Sequence, residues 1–169
     1  MTPARSRQGW LIAGLMAAAL GVPSAVRATN EAVVANFGLA VDLCLQHLRD
    51  RNPVDAFRTA GFEVTPADEG TFDFMAYGVE GYLAPLTLEQ WCWVQSDALD
   101  FATVQRIGHE RALFRYPQGV AGAPRTGATA DGCPSLNVAH ANRLWTLGFK
   151  NVPFWEGCDR PETGGIMFN

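Results

Sequence analysis

From Glu31 to Asp50 the apolar residues Val34, Phe37, Val41, Cys44 and Leu48 recur at steps of three and four, with Glu31, Asp42, Gln46 and Arg49 opposite them. That periodicity predicts an amphipathic helix with Cys44 in the middle of its buried stripe. Asn52-Pro53 then supplies a cap and a first-turn proline for a short second helix, which Gly61 ends. Next the period changes to two. Phe72, Phe74 and Ala76 alternate with Thr71, Asp73 and Tyr77, and Gly78 and Gly81 mark a turn.

Further strands are expected near Tyr82 to Leu86 and Trp91 to Gln95, followed by a third helix capped by Ser96 or Asp97 and running to about Phe114. Between Tyr116 and Pro134 the chain holds four glycines and three prolines among small residues, so residues 116–134 are expected to form a flexible surface loop. A last short helix is expected from Asn137 to Leu147, and an edge strand from Ile166 to Asn169. The fold class is α+β: N-terminal helices packed on a small antiparallel sheet, a third helix, then a loop-rich, disulfide-tied C-terminal segment.

The first 28 residues stand apart. Arg5 and Arg7 precede an uncharged apolar run from Trp10 to Val22, and Pro23 leads to Val26-Arg27-Ala28. This is the layout of a secretory signal peptide, and the expected cut lies before Thr29. The apolar run is well short of the roughly 20 residues a spanning helix needs. Residues 29–169 are therefore expected to form one exported domain, periplasmic or secreted, without membrane attachment after cleavage.

The leader carries three of the 13 basic residues and none of the 17 acidic ones, which leaves ten basic residues and a net charge of −7. Such a surface repels phosphate backbones and anionic lipid, so nucleic acid is excluded as a partner. All four cysteines, Cys44, Cys92, Cys133 and Cys158, follow the leader. An even number in an exported chain points to disulfides rather than to metal, since no C-x-x-C or H-x-x-x-H spacing occurs. Of the three connectivities, Cys44 with Cys92 and Cys133 with Cys158 joins neighbouring segments of chain. No metal and no cofactor is implied.

Trp91-Cys92-Trp93 is the most informative triplet, because on a strand both tryptophans share one face while Cys92 and Val94 share the other. If Cys92 reaches Cys44, the two indoles lie on the outer face. There they form a candidate binding surface, or else they are covered by another part of the chain. His109 and Glu110 are adjacent on the third predicted helix and so diverge rather than face one another. His47 and His140 have no serine or cysteine at a spacing that implies a catalytic triad. No nucleophile elbow, zinc-protease signature, phosphate loop or calcium loop is present.

Ala139, Ala141, Leu144, Gly148-Phe149, Asn151-Val152 and Trp155-Glu156-Gly157 resemble the end of a rhodanese-type sulfurtransferase domain, and that resemblance implies sulfur transfer at Cys133. The chain departs from the family where Thr126 to Gly132 replaces the apolar strand before the cysteine and Pro134 removes a backbone amide after it. More broadly, Cys44 in a first helix, Ala60-Gly61-Phe62 after the second and Trp91-Cys92-Trp93-Val94 before a third is similar to a loose set of small exported bacterial proteins. That similarity supports the Cys44 to Cys92 pairing and implies no activity. The reading from sequence is an exported, monomeric binding or assembly module with a protein partner, the alternative being a small hydrolase built on His109 or His140, or a degenerate sulfurtransferase.

Overall fold

Residues 24–47, 53–68, 70–85, 90–120, 122, 132–140, 143–151 and 157–168 are described by the structure, a computed structural model. The first helix, α1 (Ser24–His47), begins upstream of the expected cut before Thr29. Val33, Phe37, Val41 and Cys44 are buried, whereas Val34 is half-buried. From Ala40 to Leu45 every position is buried, including Asp42, because α1 packs on the sheet and is flanked by the second and third helices. Asp42 was expected on the solvent side. Its burial is balanced by charge: Arg111 Nη1 and Arg115 Nε donate to its two oxygens at 3.2 and 3.3 Å.

Pro53 opens α2 (Pro53–Thr59), where the missing amide hydrogen costs nothing. Gly61, at φ 95°, closes it, with the Gly61 and Phe62 amides donating back to Arg58 and Phe57. Phe57, Phe62 and Phe74 then meet with ring centroids 4.6 to 5.6 Å apart and fasten α2 to the sheet.

Among the described residues seven antiparallel strands form one sheet: β1 (Glu63–Pro66), β2 (Phe72–Ala76), β3 (Val79–Ala84), β4 (Trp91–Ser96), β5 (Ser135–His140), β6 (Arg143–Lys150) and β7 (Gly164–Phe168). Their spatial order is β1-β2-β3-β4-β7-β6-β5. The third helix, α3 (Phe101–Arg115), follows β4 and packs beside α1 on the same sheet face. The α+β class holds, and the sheet is larger than expected.

Four local expectations are corrected. Gly81 lies inside β3 rather than in a turn, and a Cβ there would strike the Trp93 carbonyl and the Phe74 ring. The α3 cap is Asp100, whose carboxylate accepts from the Thr103 amide at 2.7 Å. Ser96 is occupied elsewhere, its hydroxyl donating to the Gly78 carbonyl at 2.6 Å and accepting from Ala98 at 3.2 Å.

The expected helix from Asn137 to Leu147 is instead the β5–β6 hairpin. Leu136 and Val138 are buried while Asn137 and Ala139 are exposed, and Trp145, Leu147 and Phe149 repeat the alternation on β6. A period of two with β-branched and aromatic residues outweighs the coincidental helical spacing across the turn. Last, the C-terminal strand is central rather than an edge. β7 pairs with β4 on one side and β6 on the other.

The segment expected to be a loop begins tied down. The Ala139 amide donates to the Gly119 carbonyl at 2.9 Å, and Val120 bridges to Val138. Residues 121 and 123–131, about half of that expected loop, lie outside the described residues.

Candidate functional site

Cys44 and Cys92 are joined, with Cα atoms 6.0 Å apart, and the bond links the last turn of α1 to the helix-covered face of the sheet. Both cysteines are fully buried. Because side chains alternate along β4, fixing Cys92 inward sends Trp91, Trp93 and Gln95 to the opposite face. All three are half-buried there.

Strand register defines what surrounds them. Across the outer face, Thr65, Asp73, Tyr82, Trp93 and Met167 stand in one cross-strand row, and Glu63, Met75, Glu80, Gln95 and Gly165 in the next. No helix packs on this side among the described residues. The strands β1 to β4 contain three charged residues, Glu63, Asp73 and Glu80, all acidic and all exposed on this face.

Three contacts hold the aromatic groups in place. The Tyr82 ring stacks on Trp91 with centroids 5.0 Å apart and planes 25° from parallel, and its hydroxyl donates to Thr71 Oγ1 at 2.7 Å. The Trp93 indole nitrogen comes within 3.1 Å of the place a Cβ on Gly165 would occupy, so the ring leans across β7 where glycine leaves room. Between the rows lies a groove of about 350 Å³ lined by Thr65, Asp73, Glu80, Tyr82, Trp93 and Gln95, among others. The Gln95 amide nitrogen donates to the Glu80 carboxylate.

The second disulfide, Cys133–Cys158, has Cα atoms 5.6 Å apart and closes the C-terminal segment. Asn151, fully buried, organises the same segment. Its side-chain nitrogen donates to the Arg160 and Thr163 carbonyls, and its oxygen accepts from the Arg160 amide at 2.8 Å.

The candidate catalytic residues stand on three different elements. His47 ends α1, His140 ends β5, and His109 is half-buried on α3. Glu110 pairs with Arg106 at 2.9 Å, one helical turn away. Among the described residues no three His, Cys, Asp or Glu side chains gather into a possible metal site.

Sequence reasoning singled out Trp91 and Trp93 and missed Tyr82, Asp73, Glu80 and Gln95. The available signal was the alternation in β2 and β3, which puts Asp73, Met75, Glu80 and Tyr82 on one side. Joining them to the tryptophans requires the register, and that is set by turns the pattern does not specify. Asn151 carried no signal beyond being a polar residue after a strand. Comparison with protein-family models, curated proteins and solved structures finds no match for this chain.

Proposed function

We propose that the chain is an exported, disulfide-tied binding or assembly domain that engages a protein partner through the outer sheet face bearing Trp91 and Trp93. Two observations support the setting: both disulfides belong to an oxidising compartment, and no helix among the described residues is long and apolar enough to cross a membrane. The observation that carries the role is the pre-arranged aromatic row. Tyr82, Trp91 and Trp93 are positioned by stacking, a hydroxyl bond and a glycine, yet no helix among the described residues covers them. Large rigid aromatics on an open face supply contact area at little entropic cost.

The sulfurtransferase alternative needs a thiolate at Cys133, and the bond to Cys158 withholds it. The hydrolase alternative needs a carboxylate beside a histidine, and Glu110 is engaged by Arg106. Acrylamide quenching tests the binding face directly. Wild-type protein should lose more emission than the W91F/W93F variant; equal quenching of the two proteins would show that both indoles are covered and would remove the site.

A further inference from the structure

We infer that the outer groove receives arginine side chains from a basic segment of the partner protein, a deepening that rests on the outer face being the binding surface. The groove offers acceptors and π faces. Asp73 and Glu80 are exposed carboxylates without a basic partner among the described residues. Gln95 Oε1 is buried and accepts no hydrogen bond, while its amide nitrogen is spent on Glu80. The Tyr82 hydroxyl is spent on Thr71. A ligand entering here meets two exposed carboxylates beside the Tyr82 and Trp93 rings, so it must bring hydrogen-bond donors, positive charge and a flat face that stacks.

Guanidinium answers all three requirements. It is planar, presents five donors, forks onto carboxylates and stacks on indole and phenol rings. An ammonium group satisfies the charge but neither the stacking nor the fork. No lysine, arginine or histidine occurs in β1 to β4; Lys150 joins the second row only on β6, beyond Gly165, so the strands that line the groove carry acidic charge alone, which favours encounter with a basic chain.

The test uses labelled seven-residue peptides in which arginine alternates with serine, and lysine and glutamate counterparts, titrated into the purified chain near physiological salt. The arginine peptide should bind, about threefold or more tighter than the lysine peptide, with no binding by the glutamate peptide. D73N/E80Q should weaken the arginine peptide about tenfold, and W93L should weaken it several-fold. D159N/E162Q, which removes the same charge from the exposed C-terminal segment, should change it less than about twofold. Melting temperatures identify any variant that fails to fold. Because all four carboxylates are exposed, folding should survive in both double variants.

Absence of arginine-peptide binding, or equal weakening by the two double variants, would overturn the arginine-receiving groove. Paired quenching separates that failure from failure of the underlying reading. If caesium and acrylamide still reach Trp91 and Trp93, the open face stands and only the arginine assignment falls; if neither does, the face is covered and both fall.

Discussion

Trp93 lies across Gly165 on the neighbouring strand, its indole nitrogen 3.1 Å from where a Cβ at that position would stand. Gly165 would also bring a Cβ within 3.0 Å of the Val94 carbonyl, so added bulk has backbone on one side and the indole on the other. Gly165→Ala should therefore cost about 1–3 kcal/mol in urea denaturation. If the indole bears most of the conflict, the same substitution in a Trp93→Ala background should cost at least about 0.5 kcal/mol less. Equal costs in both backgrounds would place the conflict in the backbone and leave Trp93 held by something other than the glycine.

The Cys44–Cys92 bond closes 48 residues of chain and Cys133–Cys158 closes 25. On the loop-closure argument these contribute about 4 and about 3.5 kcal/mol. Replacing Cys44 and Cys92 by alanine should cost about 2–5 kcal/mol and also loosen α1 from the sheet, since both sulfurs sit in the core. Thiol titration of unfolded, unreduced wild-type protein should find no free cysteine. Two or more would dismantle the frame on which the outward face of Trp91 and Trp93 depends.

Asp42 is a charged residue with 5% exposure in the layer between α1 and α3. Both of its oxygens are taken by arginines of α3, and Arg111 passes so close to Gly38, one turn earlier, that a Cβ there would lie 2.8 Å from its Nε. Asp42→Ala should destabilise by about 1–3 kcal/mol, moderated because Arg111 and Arg115 keep partial access to water. Gly38→Ala should displace the Arg111 head and lose part of the same energy. If the two costs add fully in the double variant, Gly38 does not position the arginine.

These tests also show which parts of the fold were legible from residues alone. The α1 stripe, the Pro53 and Gly61 punctuation, the alternation from Phe72 and the inward Cys92 are local signals, and each appears where the spacing places it. What escaped is non-local. The β5–β6 hairpin looked helical because two short strands across a turn share apolar residues at helical distances. Phe168 looked like the end of an edge strand because nothing near it says that β4 and β6 will flank it. Asp42 looked solvent-facing because the chain pattern does not show that α3 will bring two arginines over it. The groove was half legible: alternation gives its faces, and only register brings Asp73 and Glu80 beside Trp93.

Asn151 is the residue whose role is least visible in sequence and most complete in the structure. It is fully buried just after β6, and its backbone amide donates to the Gly157 carbonyl at 2.7 Å while its side chain reaches Arg160 and Thr163. It thus acts as a peg around which the chain returns from β6 to β7, carrying Cys158 into reach of Cys133. Asn151→Ala removes two donations and one acceptance between a fully buried side chain and the 157–163 segment, at a cost of about 2–4 kcal/mol. Asn151→Asp keeps size and the acceptor for the Arg160 amide but turns a negative charge toward two carbonyls, so it should destabilise at least as much. Urea denaturation gives both costs, and hydrogen exchange locates them: protection should fall first at residues 157–163 and at Phe101, whose amide donates to the Pro161 carbonyl at 3.0 Å. Exchange that rises uniformly across the sheet, with no early loss at these positions, would mean that Asn151 contributes only to global stability and that the disulfide alone sets the path of the segment.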